Sequence, residues 1–272
     1  SGNVCNAWEI YDALIDDLPS DVTVTATHHD ARWTRVFSSA SEEASAAAGM
    51  GTAWTMAVTS RPALADAPAQ GRPLRDVAAL VRSWNLEEAS LGLAAINSWY
   101  SRPETAAFHG FEPTGAGLTW GQVFDPYRGL VSGLTVAIVG HFPFARAALS
   151  TAAEVQILER SLRPDDYPDT ACEYLLPQAD YVFISSSSLV NKTAPRLVAL
   201  AADGGAHTVL VGPSTPMHPL WLEMGVETVT GWVPDAGLRA EHPELLPTDG
   251  SIGVGTRMHL GLTPGQHGHE PV

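Results

Sequence analysis

The sequence predicts an α/β protein: a Rossmann-like parallel-sheet domain at residues 130–240, a smaller α+β domain before it at 5–115, and a C-terminal extension at 241–272. Three observations carry this reading. Beyond Leu134, continuous Val/Ile/Leu runs alternate with helix-length segments, the texture of strands buried on both faces and joined by right-handed crossovers. Before Arg102, Val/Thr alternation stands beside segments of helical period, which suits a half-buried hairpin with helices packed on it. The 272 residues are 45% hydrophobic and 17% charged, enough for one large or two ordinary cores at about 100–200 residues per domain.

In the first half, Trp8–Leu18 sets Ile10, Leu14 and Leu18 on one helical face. Asp21–Thr27 and Trp33–Ser38 are strands joined by the short HHDAR connection. Residues 41–58 are small and Ala/Gly-rich and receive no element. Ser60–Arg72, with three prolines, reads as a loop. Helices follow at Leu74–Val81 and Leu86–Tyr100, where Asn85 and Glu88 fit the N-cap and N3 positions of a capping box. Arg102–Gly121 reads as a linker or crossing segment. In the second half the strands are Leu134–Gly140, Val155–Glu159, Tyr181–Ser185, Thr208–Gly212 and Val226–Gly231.

In a doubly wound sheet, ligands bind at the carboxyl ends of the strands. Here those ends carry Gly140, His141 and Phe142; Glu159; Ser185, Ser186, Ser187, Ser188 and Asn191; and Gly212, Ser214 and Thr215. Thr215 before Pro216 has the form of a helix cap with proline at the first helical position. Hydroxyls and free N–H groups at such ends suit an anionic ligand; read plainly, they are caps and turns that end strands. His141 and Ser214 follow strand ends, so their side chains are expected to point into the cleft and to contribute little to folding. Asn97 shares a helical face with Leu93 and Tyr100 and either pins that helix to a strand or faces an interdomain cleft. A dinucleotide is not expected: GHFPF lacks the second and third glycines of GxGxxG, although Glu159 lies where a ribose-binding acid would.

Metal motifs are sparse. Ten histidines occur without HExxH, finger or EF-hand spacing. His28 and His141 are the metal candidates, for a divalent ion; the His28-His29-Asp30 run otherwise reads as a polar hairpin tip. His218 is a weaker site candidate, and His267 and His269 stand near the terminus. Cys172 at a helix start reads as packing. Nucleophile and phosphate-loop motifs are lacking, and Lys192, the single lysine, reads as a surface residue.

The runs GLTVAIVGHFPF, ILERSLRPDDYPDTACEYLLPQADYVFISSSSLVNKT and VLVGPSTPMHP resemble the heavy-metal chelation domain family, a widespread family of unknown function. RSWNLEEASLGLAAINSWYSR is similar to the domain that usually precedes it, whose fold is like the N-terminal domain of enolase. The resemblance spans roughly residues 5–240 and implies the same two-part architecture. It carries no catalytic residue set, and SSSS replaces a more mixed Ser/Thr/Gly stretch.

Net charge of −15, spread over both halves, repels nucleic-acid phosphates and anionic membranes. Two cysteines, no long apolar run and no basic or apolar leader at the start lead to the expectation of a cytoplasmic protein. A homo-oligomer is compatible with these features. The leading functional expectation is a protein binding a small anionic or metal-chelating ligand in the cleft at the carboxyl edge of the sheet. The alternatives are a biosynthetic enzyme using His141 and Glu159 in that cleft, and a non-catalytic metal-handling protein.

Overall fold

The Val/Thr alternation folds into a hairpin. In the computed structural model, which describes residues 6–115 and 120–262, β1 (Val24–His29) and β2 (Trp33–Ser38) pair antiparallel. Asp30 closes the turn by accepting from the backbone N–H groups of Arg32 and Trp33, both at 2.8 Å. A third strand, β3 (Gly49–Trp54), pairs with β2 inside the stretch to which the sequence assigned nothing. Glycine is a poor strand former, and its presence here has a tertiary cause. A Cβ on Gly51 would stand 2.1 Å from Ser98 N, and one on Gly49 2.3 Å from Ser98 O. Both glycines let a helix lie directly on the strand.

That helix is α3 (Leu86–Tyr100), preceded by α1 (Glu9–Asp16) and α2 (Leu74–Ala78) and followed by α4 (Pro103–Phe108). It starts where expected: Asn85 Oδ1 accepts from Glu88 N at 3.1 Å. The reciprocal half of the capping box is replaced by a different contact. The Glu88 carboxylate accepts from Leu64 N at 2.7 Å and Ala65 N at 3.0 Å, tying down the proline-containing loop. α4 occupies the segment read as linker, with Pro103 at its start, where a missing N–H costs nothing.

Eight strands form the large sheet: β4 (Glu112–Pro113), β5 (Thr135–Val139), β6 (Glu154–Glu159), β7 (Tyr167–Pro168), β8 (Tyr181–Ser185), β9 (His207–Val211), β10 (Thr228–Pro234) and β11 (Gly255–Gly261). Their order is β4-β11-β10-β9-β8-β5-β6-β7. Neighbours from β10 to β7 run parallel, while β11 pairs antiparallel with both β10 and β4. The sheet therefore includes a strand from the C-terminal extension, which the sequence left without an element. The connections carry α5 (Ala145–Ala148), α6 (Cys172–Leu175), α7 (Ala194–Asp203), α8 (Leu220–Glu223) and α9 (Ala236–Arg239).

Side chains alternate between two cores, as a sheet covered on both faces requires. Val182 and Ile184 of β8 join the core shared with α1, α2 and α3, while Tyr181 and Phe183 join Phe124, Tyr127 and Val131 on the other face. β5 lies between β6 and β8, so successive connections leave it in opposite directions. This is the topological switch point, and the crevice opens at the carboxyl ends of these three strands. Among the described residues no helix is long and apolar enough to cross a membrane.

Candidate functional site

Sharp turns end the central strands. Gly140, after β5, has φ +111, and a Cβ there would meet Ser185 Cβ at 2.8 Å; Gly212, after β9, has φ +132, and its Cβ would meet Ser186 Oγ at 2.6 Å. Only glycine takes these positive-φ turns without strain, and both bring backbone against the serine run after β8. There Ser185 Oγ and Ser187 Oγ share a hydrogen bond of 2.8 Å. Ser188 is 5% exposed, and its Oγ has no hydrogen-bond partner among the described residues.

A cavity of about 800 Å³ opens at this edge, a size suited to a small organic ligand. One wall is the strand ends: Gly140, Glu159, Arg160, Ser185, Ser187 and Ser188. A second comes from the other unit, through Trp54 to Val58 and Leu86. Asp169, Thr170, Cys172 and Glu173 form a third, and Asn191, Lys192, Thr193 and Arg196 a fourth, leading into α7.

The charges are mostly matched in pairs. Arg160 Nε meets Asp169 Oδ2 at 2.7 Å. Arg196 grips Glu173 with two parallel bonds of 2.8 and 2.7 Å, which hold the Glu173 carboxyl below its usual range. Lys192 differs. Half-buried, it donates to Ser83 O and lies 4.9 Å from the centre of the Trp84 ring, and burial lowers its pKa to about 8. The expectation of a plain surface lysine is corrected. Burial, with Glu173 adding to it, pushes the Cys172 thiol up; α6 is a single turn and does not activate it.

Of the residues singled out from sequence, Gly140, Glu159, Ser185, Ser187, Ser188 and Asn191 come together on this cavity. The others lie elsewhere. His141 is half-exposed, with Arg163 Nη1 at 2.9 Å from Nδ1 and 3.2 Å from Nε2. Phe142 packs edge-on to Phe124, and Ser186 is buried beneath Gly212. Ser214 differs from expectation most plainly: 2% exposed, its Oγ accepts from Trp54 N at 2.9 Å, so it bonds one unit to the other instead of facing the cleft. Thr215 caps no helix; its Oγ1 donates back to Gly212 O at 2.8 Å, and the next helix begins at Leu220. Asn97 pins its helix to a strand by donating to Thr52 O on β3, and it also donates to Ser214 O, each at 2.8 Å; fully buried, it does not face the cavity. His218 is tied to Asp17 at 3.0 Å.

His28 lines a separate pocket of about 330 Å³ with His29, which lies 3.9 Å from Glu87. The run is a hairpin tip, because Asp30 is committed to the turn and to Arg35. Among the described residues no group of three or more His, Cys, Asp or Glu side chains is placed to hold a metal ion. The cavity's Asp169 and Glu173 are already paired with arginines. Cys5, His267 and His269 lie outside the described residues. The donor set in the cavity therefore does not fit a bare heavy-metal ion, which needs several thiolate, imidazole or free carboxylate ligands.

The sequence missed the 54–58 wall, the 169–173 wall, and Lys192 and Arg196. Only Lys192 carried a signal, as the one lysine in an arginine-using chain.

Two family models match, DUF364 over residues 122–242 and DUF4213 over residues 11–100, each described as "Putative heavy-metal chelation". A crystal structure of a DUF364-family protein of unknown function from Desulfitobacterium hafniense is 32% identical, with a TM-score of 0.78, covering 94% of this chain and 98% of that one. A second DUF364-family structure, from Pyrococcus horikoshii and also of unknown function, is 19% identical with a TM-score of 0.71, covering 94% and 99%. No curated protein matches the chain.

Proposed function

The chain belongs to the DUF364 family, and from that premise we propose that it binds a small anionic or metal-chelating ligand in the cavity at the carboxyl edge of its parallel sheet. One observation carries the reading. The cavity at the switch point brings the hydroxyls of Ser185, Ser187, Ser188 and Thr193 together with Arg160, Lys192 and Arg196. Hydroxyls and guanidinium groups are donors, and charge-assisted bonds from them to carboxylate or phosphate oxygens are the strong kind. Ser188 Oγ, without a partner among the described residues, has a donor to give.

The family description speaks of metal, and the cavity lacks a ligand set for a bare ion. A chelator resolves this, because it brings its own ligands and presents anionic groups to the wall. Of the pair weighed for an enzyme, Glu159 lines the cavity and His141 does not, which favours binding over acid–base chemistry by those two residues.

The test is thermal denaturation in citrate, in inorganic phosphate and in nickel chloride alone. Citrate, an anionic chelator, is expected to raise the melting temperature with concentration, in proportion to RT ln(1 + [L]/Kd). Stabilisation by nickel alone, with none by citrate or phosphate, would overturn the proposal.

A further inference from the structure

Lys192 is the only lysine among 272 residues that include thirty acids, yet no carboxylate pairs with it among the described residues. Its surroundings are the Ser83 carbonyl and the face of Trp84. The residue stands in the cavity wall at φ +65, a left-handed conformation that costs a residue with a side chain about 1–2 kcal/mol. Asn191 fixes this turn: its Oδ1 accepts from Thr193 Oγ1 at 2.7 Å and from Thr193 N at 3.3 Å. Such strain collects where a side chain must be held in one place.

We propose that Lys192 is a covalent binding residue, whose amine condenses with the carbonyl carbon of a small keto acid or aldehyde acid seated in the cavity. This rests on the reading that the cavity takes an anion, and narrows it to a carbonyl-bearing one. The acid group is placed on the hydroxyls of Ser187 and Ser188, with Arg196 beside them.

Burial brings the amine down to about 8, so an appreciable fraction is neutral and nucleophilic near pH 7, as in other imine-forming lysines. A neutral amine keeps one N–H on Ser83 O while its lone pair adds to the carbonyl carbon. The C–N bond forms as the carbonyl π pair moves to oxygen, giving a carbinolamine once the proton passes from nitrogen to oxygen. Loss of that oxygen with both hydrogens as water leaves the C=N bond. No oxidant or reductant is consumed.

The experiment incubates the full chain with pyruvate and sodium cyanoborohydride, followed by intact mass measurement and peptide mapping. A single reduced adduct on Lys192 is expected. Lactate, which lacks the carbonyl, should slow labelling by competition. Acetone, which lacks the carboxylate, should label about tenfold more slowly, the loss of one hydrogen bond to a charged group. Lys192→Arg keeps a cation against Trp84 and should fold without forming the adduct. If that variant fails to fold, mapping of the parent still decides. No adduct, an adduct confined to the amino terminus, or acetone reacting as fast as pyruvate would overturn the inference. Stabilisation by citrate without a pyruvate adduct would leave the anion-binding reading standing and remove this one.

Discussion

Asn97 Nδ2 donates across the two units to Ser214 O at 2.8 Å, from a side chain with no solvent exposure. Its second hydrogen goes to Thr52 O at the same distance, and Ser214 Oγ returns a contact by accepting from Trp54 N. One amide thus fixes helix, small sheet and the loop after β9 in a single arrangement, and sets Trp54 at the cavity wall.

Asn97→Ala leaves two buried carbonyls without a donor. Each such group costs about 1–3 kcal/mol, so urea denaturation should show a loss of about 2–4 kcal/mol. Ser214→Ala should cost about 1–2 kcal/mol, in place of the neutral effect the sequence led one to expect. A double-mutant cycle should give a coupling above about 0.5 kcal/mol; strict additivity would remove the shared role.

Arg102 is fully buried, and among the described residues no carboxylate forms an ion pair with it. Its Nε donates to Ser98 O at 3.0 Å, Nη1 to Ala47 O, and Nη2 to Ser38 Oγ at 2.9 Å and Ser39 O at 2.8 Å. Burial lowers its pKa only to about 10, so it stays charged at pH 7. Arg102→Met should lose about 3–5 kcal/mol, and Arg102→Lys should fail to restore it, since an ammonium lacks the fork that reaches four acceptors. Full rescue by lysine in chemical denaturation would contradict this.

His109 packs tilted against His218, with ring centres 4.8 Å apart. Burial, reinforced by His218, depresses its pKa below the ordinary 6.5. The unfolded chain therefore binds the proton more readily. Stability from this group is present above about pH 6.5 and is lost as pH falls from there towards the depressed folded value. Melting curves between pH 7.5 and 5.5 should fall more steeply for the parent than for His109→Gln. Equal slopes would refute the assignment.

Ser188→Ala removes a hydroxyl that bonds nothing among the described residues. Stability should change by less than about 0.5 kcal/mol, while citrate affinity falls about tenfold, the worth of one hydrogen bond to a charged group. A loss of stability with unchanged affinity would make Ser188 a packing residue.

Elements whose signal is local were legible in the sequence: β2 and β8 match their expected spans, as does α3 with its Asn85 cap. Those set by tertiary contact were not. β3 contains Gly49 and Gly51 because α3 touches it, and β11 is a strand because β10 and β4 flank it. The site divides the same way. The rule that ligands gather at strand ends pointed to Gly140, Glu159, Ser185, Ser187 and Ser188, which lie together on one cavity because their positions follow from sheet topology. It misplaced Ser214 and Thr215, because the loop after β9 turns under Trp54 instead of towards the crevice. The wall at 54–58 belongs to the other unit, and no motif announces it.

The central claim is that the cavity at the ends of β5, β6 and β8 takes a small anionic ligand. Isothermal titration of citrate into the parent and into Ser187→Trp tests it most directly, because an indole at Ser187 fills the cavity wall while sparing both cores. The account predicts saturable binding by the parent and a loss of at least about tenfold, roughly 1.4 kcal/mol, in a variant that still unfolds cooperatively. Equal citrate binding by both proteins would contradict it.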